Sequence, residues 1–166
     1  MAALKDLTDL LNHEIQVLYD AEKLLIAAIP RMAEKAHDPI LKAAFLKHLE
    51  ETKEHKNRLE QVARLMDINP NGDGNTGMKG LIAEGEKVMH KNASKEAMDA
   101  ALICGAQKIE HYEIAGYGTA AHLALGLALD QVYNLLNMTL QEEQATDTKL
   151  NNLAKSNINR KAAQVT

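Results

Sequence analysis

Between Gln107 and Thr119 the chain places a carboxylate where a helix would bury its apolar side. At helical spacing Ala106, Ile109, Glu113 and Tyr117 share one face. Leu102 and Ala106 lead into that face, and Ala120 and Leu123 continue it, which marks it as core-facing. Glu110 stands one turn before Glu113. An ionised carboxylate is costly to bury unless it is paired, hydrogen-bonded or bound to a metal. The fold therefore has to bring Glu113 a partner.

The same periodicity runs through most of the chain. Leu7, Leu11, Ile15, Leu18, Leu25, Ile29 and Met32 form a helical stripe interrupted by one polar member, Glu22. Pro30 falls inside that stripe and predicts a kink or local break, because proline lacks the N–H and crowds the preceding turn. Asp38-Pro39 reads as an N-cap followed by a first-turn proline. It opens a second helix to about Met66, with Leu41, Phe45, His48, Thr52, His55, Leu59 and Val62 on one face. Asn69 to Gly77 is dense in turn formers and is the strong loop. A short amphipathic helix spans about Lys79 to Lys91. Ser94 caps a third long helix to about Ala124, near the weakening Gly126, and a fourth runs from about Asp130 past Leu153. The last ten or so residues, from about 155, are polar and read as a frayed tail.

No sustained period-two alternation of β-branched residues occurs. The fold class is all-α, a helical bundle forming one domain over residues 1–166. The loop and short helix between the second and third long helices make one long crossover, the connectivity of ferritin-like bundles. Offsetting the chain against itself by 91 residues pairs Leu18 with Ile109, Glu22 with Glu113, Glu51 with Glu142 and Leu59 with Leu150. Two equivalent helical pairs follow, with the polar exceptions aligned as well.

Inward Glu and His side chains on facing bundle helices hold two metal ions, ordinarily one Glu from each of two helices and a Glu-x-x-His from each of the others. Glu22 and Glu113 are the single positions. The second helix offers Glu51 with His55, or His48, and the fourth offers Glu142, Glu143 and Asp147, of which one or two can face inward. Glu-x-x-His itself is missing: Glu54 stands three after Glu51, and Thr146 three after Glu143. A site here is carboxylate-rich, and Glu110 serves either as a ligand or as an acceptor from one. Glu50, Glu54 and His111 read as solvent-facing, Tyr19, Tyr112 and Tyr117 as packing groups, and Cys104 as a small core residue. Asp67-Ile-Asn-Pro-Asn-Gly matches the first half of a calcium loop, but its twelfth position is Met78 where a bidentate Glu is needed.

Composition removes other classes. The formal net charge of −4 gives no electrostatic grip on nucleic acid or anionic lipid, and no window supplies about eighteen consecutive apolar residues for a membrane span. A single cysteine excludes an intrachain disulfide framework, and the acidic N-terminal stretch is unlike a signal peptide; both fit a cytoplasmic protein.

Leu18-Tyr19-Asp20-Ala21-Glu22-Lys23, His48-Leu49-Glu50-Glu51-Thr52, the block from Ala106 to Glu113 and Glu142-Glu143-Gln144-Ala145-Thr146-Asp147 together resemble the YciE/YciF-type bacterial stress proteins. That resemblance implies a ferritin-like bundle with a short extra helix, a homodimer, induction under stress and a di-metal, ferroxidase-like role. It puts Glu22, Glu51, Glu110, Glu113, Glu143 and Asp147 at family motif positions, whereas His55 stands where Gln is expected. The function this predicts is a dinuclear iron or manganese centre with Glu22, Glu51, Glu113 and the Glu142/Glu143 pair as principal ligands. Glu110, His55 and Asp147 complete it, and oxidation of ferrous iron by oxygen or peroxide is the associated activity. The alternative is a non-enzymatic homodimeric stress protein whose vestigial or metal-free site acts through protein interaction.

Overall fold

The computed structural model describes residues 4–165, and no strand occurs among them. In chain order the helices are α1 (Leu7–Lys35), α2 (Pro39–Leu65), α3 (Thr76–Met89), α4 (Lys95–Gly126) and α5 (Asp130–Leu153); a π-helical turn (Ala154–Ile158) then leads into α6 (Asn159–Ala163). α1–α2 and α4–α5 are antiparallel hairpins, and they pack with α1 on α4 and α2 on α5. With α3 in the long link between α2 and α4, this is a ferritin-like four-helix bundle.

Local chemistry sets the helix ends. Asp6, Asp38, Asn75 and Ser94 cap α1, α2, α3 and α4, each side chain accepting from a first-turn N–H. α2 and α4 close alike: Asp67 and Ala128 take φ of 53° and 56°. Ile68 N–H then donates to the Ala63 carbonyl at 3.0 Å and Leu129 N–H to that of Ala124 at 2.9 Å.

Four expectations are corrected by the helices themselves. Pro30 does not break α1, which continues to Lys35. Pro30 is exposed, so the carbonyl deprived of its partner faces water, which can serve it. The tail is not frayed as far as Ala163. Ile158 is buried in the core, while Asn157 and Lys161 reach Asp38 Oδ2 at 3.1 and 3.3 Å. Cys104 is exposed, one step off the buried face of α4 that Leu102 and Ala106 define. The short helix also begins earlier than Lys79, because Asn75 caps it at Thr76.

The α1–α2 corner is held from α4. Asp99 is buried and accepts from the His37 and Asp38 N–H groups at 2.7 and 2.9 Å. Asp99→Ala strands both donors and should lower unfolding stability by about 2–3 kcal/mol. In urea unfolding this appears as an earlier midpoint at unchanged slope. A shift below about 0.5 kcal/mol would mean that water takes over both bonds.

Apolar packing inside the bundle divides into two clusters. One contains Leu25, Phe45, Leu102, Ile109 and Leu150; the other contains Leu18, Leu59, Tyr117 and Leu136. Each long helix passes from one to the other, and each carries polar residues at the crossing.

Candidate metal centre

The crossing residues are Glu22 between Leu18 and Leu25, His48 and His55 between Phe45 and Leu59, Glu110 and Glu113 between Ile109 and Tyr117, and Glu143 between Leu136 and Leu150. All six are buried, with Glu22, His55, Glu113 and Glu143 at 0% exposure. Close approach of α1 to α4 helps bring Glu22 to Glu113. A Cβ on Gly116 would lie 2.9 Å from Leu18 Cδ2, so glycine there lets the helices meet.

Two triads emerge. Ligating atoms of Glu22, His55 and Glu143 lie within 4.8 Å of one another, as do those of His48, Glu113 and Glu143. Glu143 belongs to both. Its Oε1 lies 2.8 Å from His55 Nδ1, and its Oε2 lies 3.8 Å from His48 Nε2. Glu110 adjoins the second triad, with Oε1 3.4 Å from His48 Nε2.

Each histidine turns one nitrogen inward and the other outward. His55 Nε2 donates to Glu142 Oε2 at 2.8 Å, which in the neutral ring leaves a lone pair on Nδ1 facing Glu22 and Glu143. Arg58 grips the same Glu142 with two bonds, of 2.5 and 3.0 Å, and reaches Thr139 at 3.2 Å. His48 Nδ1 faces Thr146 Oγ1 at 3.4 Å and Glu51 Oε2 at 3.8 Å. Tyr117, fully buried, donates its hydroxyl to Glu22 Oε1.

The cluster leaves polar atoms unsatisfied. Glu22 Oε2, Glu110 Oε2, both oxygens of Glu113, both oxygens of Glu143 and His55 Nδ1 are buried without a hydrogen-bond partner. His55 Nδ1 and Glu143 Oε1 are close, but they are not aligned as a hydrogen bond. Buried polar groups are normally satisfied, and these orphans are all atoms able to ligate a cation. The residues fit an iron- or manganese-type centre: hard carboxylate oxygen with two imidazoles, in two triads joined by one carboxylate.

Protonation tells the same story. Considering protein groups alone, burial and the neighbouring Glu143 push the Glu22 pKa up to about 8, against the pull of His55 and Tyr117. Burial, with the Glu143 charge next, also holds Glu110 and Glu113 well above the usual carboxylate range. Burial opposes charge on His55, but Glu143, Glu22 and Glu142 together outweigh it and raise its pKa to about 9. Glu143 is held low despite its burial, chiefly by the two histidines. Closely spaced like charges that share so few protein cations stay partly protonated.

Of the residues expected at the site, the structure brings together Glu22, His55, Glu110, Glu113 and Glu143. Glu51, Glu142 and Asp147 stand outside. Glu51 is partly exposed and paired with Lys47; Glu142 is held by Arg58; Asp147 meets Gln107 at 3.3 Å and His111 at 3.6 Å. The 91-residue offset equates Glu51 with Glu142, yet the equivalent inward pair is Thr52 and Glu143, one position on. His48 is the residue underrated in the sequence, where its place on the α2 stripe was the available signal. Tyr117 bonds a site carboxylate, whereas Tyr19 and Tyr112 hydrogen-bond Glu60 and Asn75 away from the cluster.

Comparisons with known proteins agree with this architecture. Residues 6–163 match the family profile described as domain of unknown function DUF892. The chain is 41% identical over 160 residues to protein YciF of Escherichia coli, covering 96% of both. Its fold superimposes on the crystal structure of the E. coli stress protein YciF with a TM-score of 0.91, covering 95% of this chain and 99% of that one at 40% identity. YcfI of Rhodopseudomonas palustris gives a TM-score of 0.86 at 38% identity, covering 89% and 94% of the two chains. A Xanthomonas campestris protein shares the fold at 20% identity, with a TM-score of 0.71 over 91% of this chain and 92% of that one.

Proposed function

This chain belongs to the DUF892 family, and on that premise we propose a ferritin-like stress-response protein with a dinuclear iron or manganese centre between its four long helices. The observation that carries the proposal is the pair of buried triads joined through Glu143. Glu22 and His55 would hold one ion, His48 and Glu113 the other, with Glu143 serving both and Glu110 beside the second. An iron pair would supply ferroxidase-type chemistry, in which ferrous iron is oxidised at the expense of oxygen or peroxide. The protein's own contribution is to surround the cluster with apolar packing, to orient both imidazoles through their outer nitrogens, and to hold Glu22 by a hydrogen bond donated by the Tyr117 hydroxyl.

Support for a stress role is the likeness to a protein described as a stress protein. We further propose a cytoplasmic homodimer. The one cysteine, exposed and unpaired, suits a reducing compartment, and no helix among the described residues is long and apolar enough to cross a membrane. Size-exclusion chromatography with light scattering checks the dimer.

Elemental analysis of protein purified without chelator, and again after reconstitution, tests the centre. About two iron or manganese ions per chain are expected, with faster aerobic oxidation of added ferrous iron than in buffer. No stoichiometric metal after reconstitution with iron, manganese and zinc would leave the non-enzymatic reading, in which protein protons and His55 alone balance the carboxylates.

A further inference from the structure

The two triads differ in their access to solvent. A pocket of about 150 Å³ opens between α2 and α5, and His48 and Glu110 line its inner end. Glu22, His55, Glu113 and Glu143 do not line it, so the second triad meets the pocket through His48 and the first through none of its members. Lys47, Lys149 and Glu51 stand at its outer part, and Phe45 and Leu150 form apolar wall. From outside to inside the side chains form a graded series: Lys47 at 65% exposure, Glu51 at 25%, His48 at 6% and Glu110 at 3%. Glu110 is buried and lines the pocket, and its Oε2 has no partner.

The contacts form a relay of ligand atoms. Glu51 Oε1 is paired with Lys47 Nζ, and Glu51 Oε2 lies 3.8 Å from His48 Nδ1. On its far side His48 meets Glu110 and Glu143 at 3.4 and 3.8 Å. Glu51 thus carries one carboxylate at the boundary between solvent and the cluster, with a flexible lysine ammonium on it. An exposed ion pair of this kind is weak and exchangeable.

Resting on the proposed metal centre, we infer that the α2–α5 pocket is the entry port for divalent first-row cations, with Glu51 as transit carboxylate and Lys47 as the cation it exchanges. An arriving ion displaces Lys47 from Glu51, passes to Glu110, and is delivered first to the His48–Glu113–Glu143 triad. The Glu22–His55–Glu143 triad fills from there, through the shared carboxylate. Glu51 is a positioning residue for loading and not a resident ligand, which accounts for its place outside both triads.

The two neighbours should act with opposite sign. Chelator-treated protein mixed with cobalt(II) in a stopped flow reports loading through the visible absorption of the bound ion, and equilibrium dialysis gives the end stoichiometry. Glu51→Gln should load about tenfold more slowly, the low end of what cleft charge contributes to an on-rate, because it removes the carboxylate that stands between the lysines of the mouth and Glu110. Lys47→Met should load about two- to fivefold faster, the fold-change equivalent of releasing one exposed ion pair. Both should reach the wild-type stoichiometry. Both sites are partly exposed surface positions, so neither change threatens folding. Equal rates in all three proteins overturn the inference while leaving the metal centre intact. Loss of a bound ion in Glu51→Gln overturns it too, because Glu51 would then be a ligand. Wild-type protein that takes up no cobalt overturns the metal centre and the port together.

Discussion

Glu143→Gln should empty both metal positions at once, whereas Glu22→Gln and Glu113→Gln should each cost one ion of about two. The asymmetry follows from the geometry. Glu143 is the one residue common to the two triads, with one oxygen toward His55 and the other toward His48. Glutamine keeps the volume, so the helices need not repack, but it loses the charge and turns one of those oxygens into an amide nitrogen that cannot ligate. Glu22 and Glu113 sit on α1 and α4, each in its own triad, and removing one leaves the other set complete. Replacing both by Ala should abolish tight binding. Isothermal titration with manganese(II) on chelator-treated variants checks the series. Two ions still bound by Glu143→Gln would show that the carboxylate does not join the sites, and the dinuclear reading would reduce to two separate mononuclear ones.

Much of the buried cluster was legible because carboxylates interrupt apolar stripes. Glu22 and Glu113 stand where Leu is expected, and the long crossover is written as a turn-rich segment followed by a short amphipathic run. Adjacent acids were harder to separate. Glu142 and Glu143 differ by about 100° around the helix axis, which periodicity resolves only if the stripe is phased to a single residue. The internal offset has the right register but points to the wrong member, because the matched acids Glu51 and Glu142 stand out while the inward pair at the same offset, Thr52 and Glu143, is unlike in chemistry. Glu51 was misplaced by the same ambiguity, its inward neighbour being Thr52. Other features depended on contacts far along the chain: Asn157 and Lys161 look like a polar tail until Asp38, more than a hundred residues earlier, receives them. Arg58 also carried no local sign of its partner, since Glu142 lies on a different helix.

The chelator-treated protein should lose stability as pH rises from about 5 to about 9, and bound metal should reverse that trend. The unfolded chain releases its glutamate protons near the ordinary value of about 4.3. The folded chain retains them on Glu22 to about pH 8 and on Glu110 and Glu113 well above the usual range. Across that interval the native state binds more protons than the unfolded one, so each added pH unit favours unfolding. His55 acts in the same direction: its folded pKa of about 9 exceeds the unfolded value of about 6.5, so its stabilising contribution is whole below the lower value and gone above the higher. Glu143 and Glu51 do not offset this. Both are held low, Glu51 to about 2 by His48 and Lys47, so their contributions are complete above about pH 4.5 and fall away only on acidification. Two groups shifted by even one unit each amount to about 3 kcal/mol. For a chain of this length that is a fall in Tm of about 6–12 °C. Metal binds the deprotonated ligands and stabilises whichever state holds them, so the Tm gap between metal-loaded and chelated protein should widen with pH. Differential scanning calorimetry at pH 5.5, 7 and 8.5, with chelator and with manganese(II), decides the matter. A chelated Tm that stays level or rises over that range would mean the carboxylates ionise without cost. The cluster would then have to be far more open to water than the α2–α5 pocket at His48 and Glu110 makes it, contrary to the burial of its carboxylates.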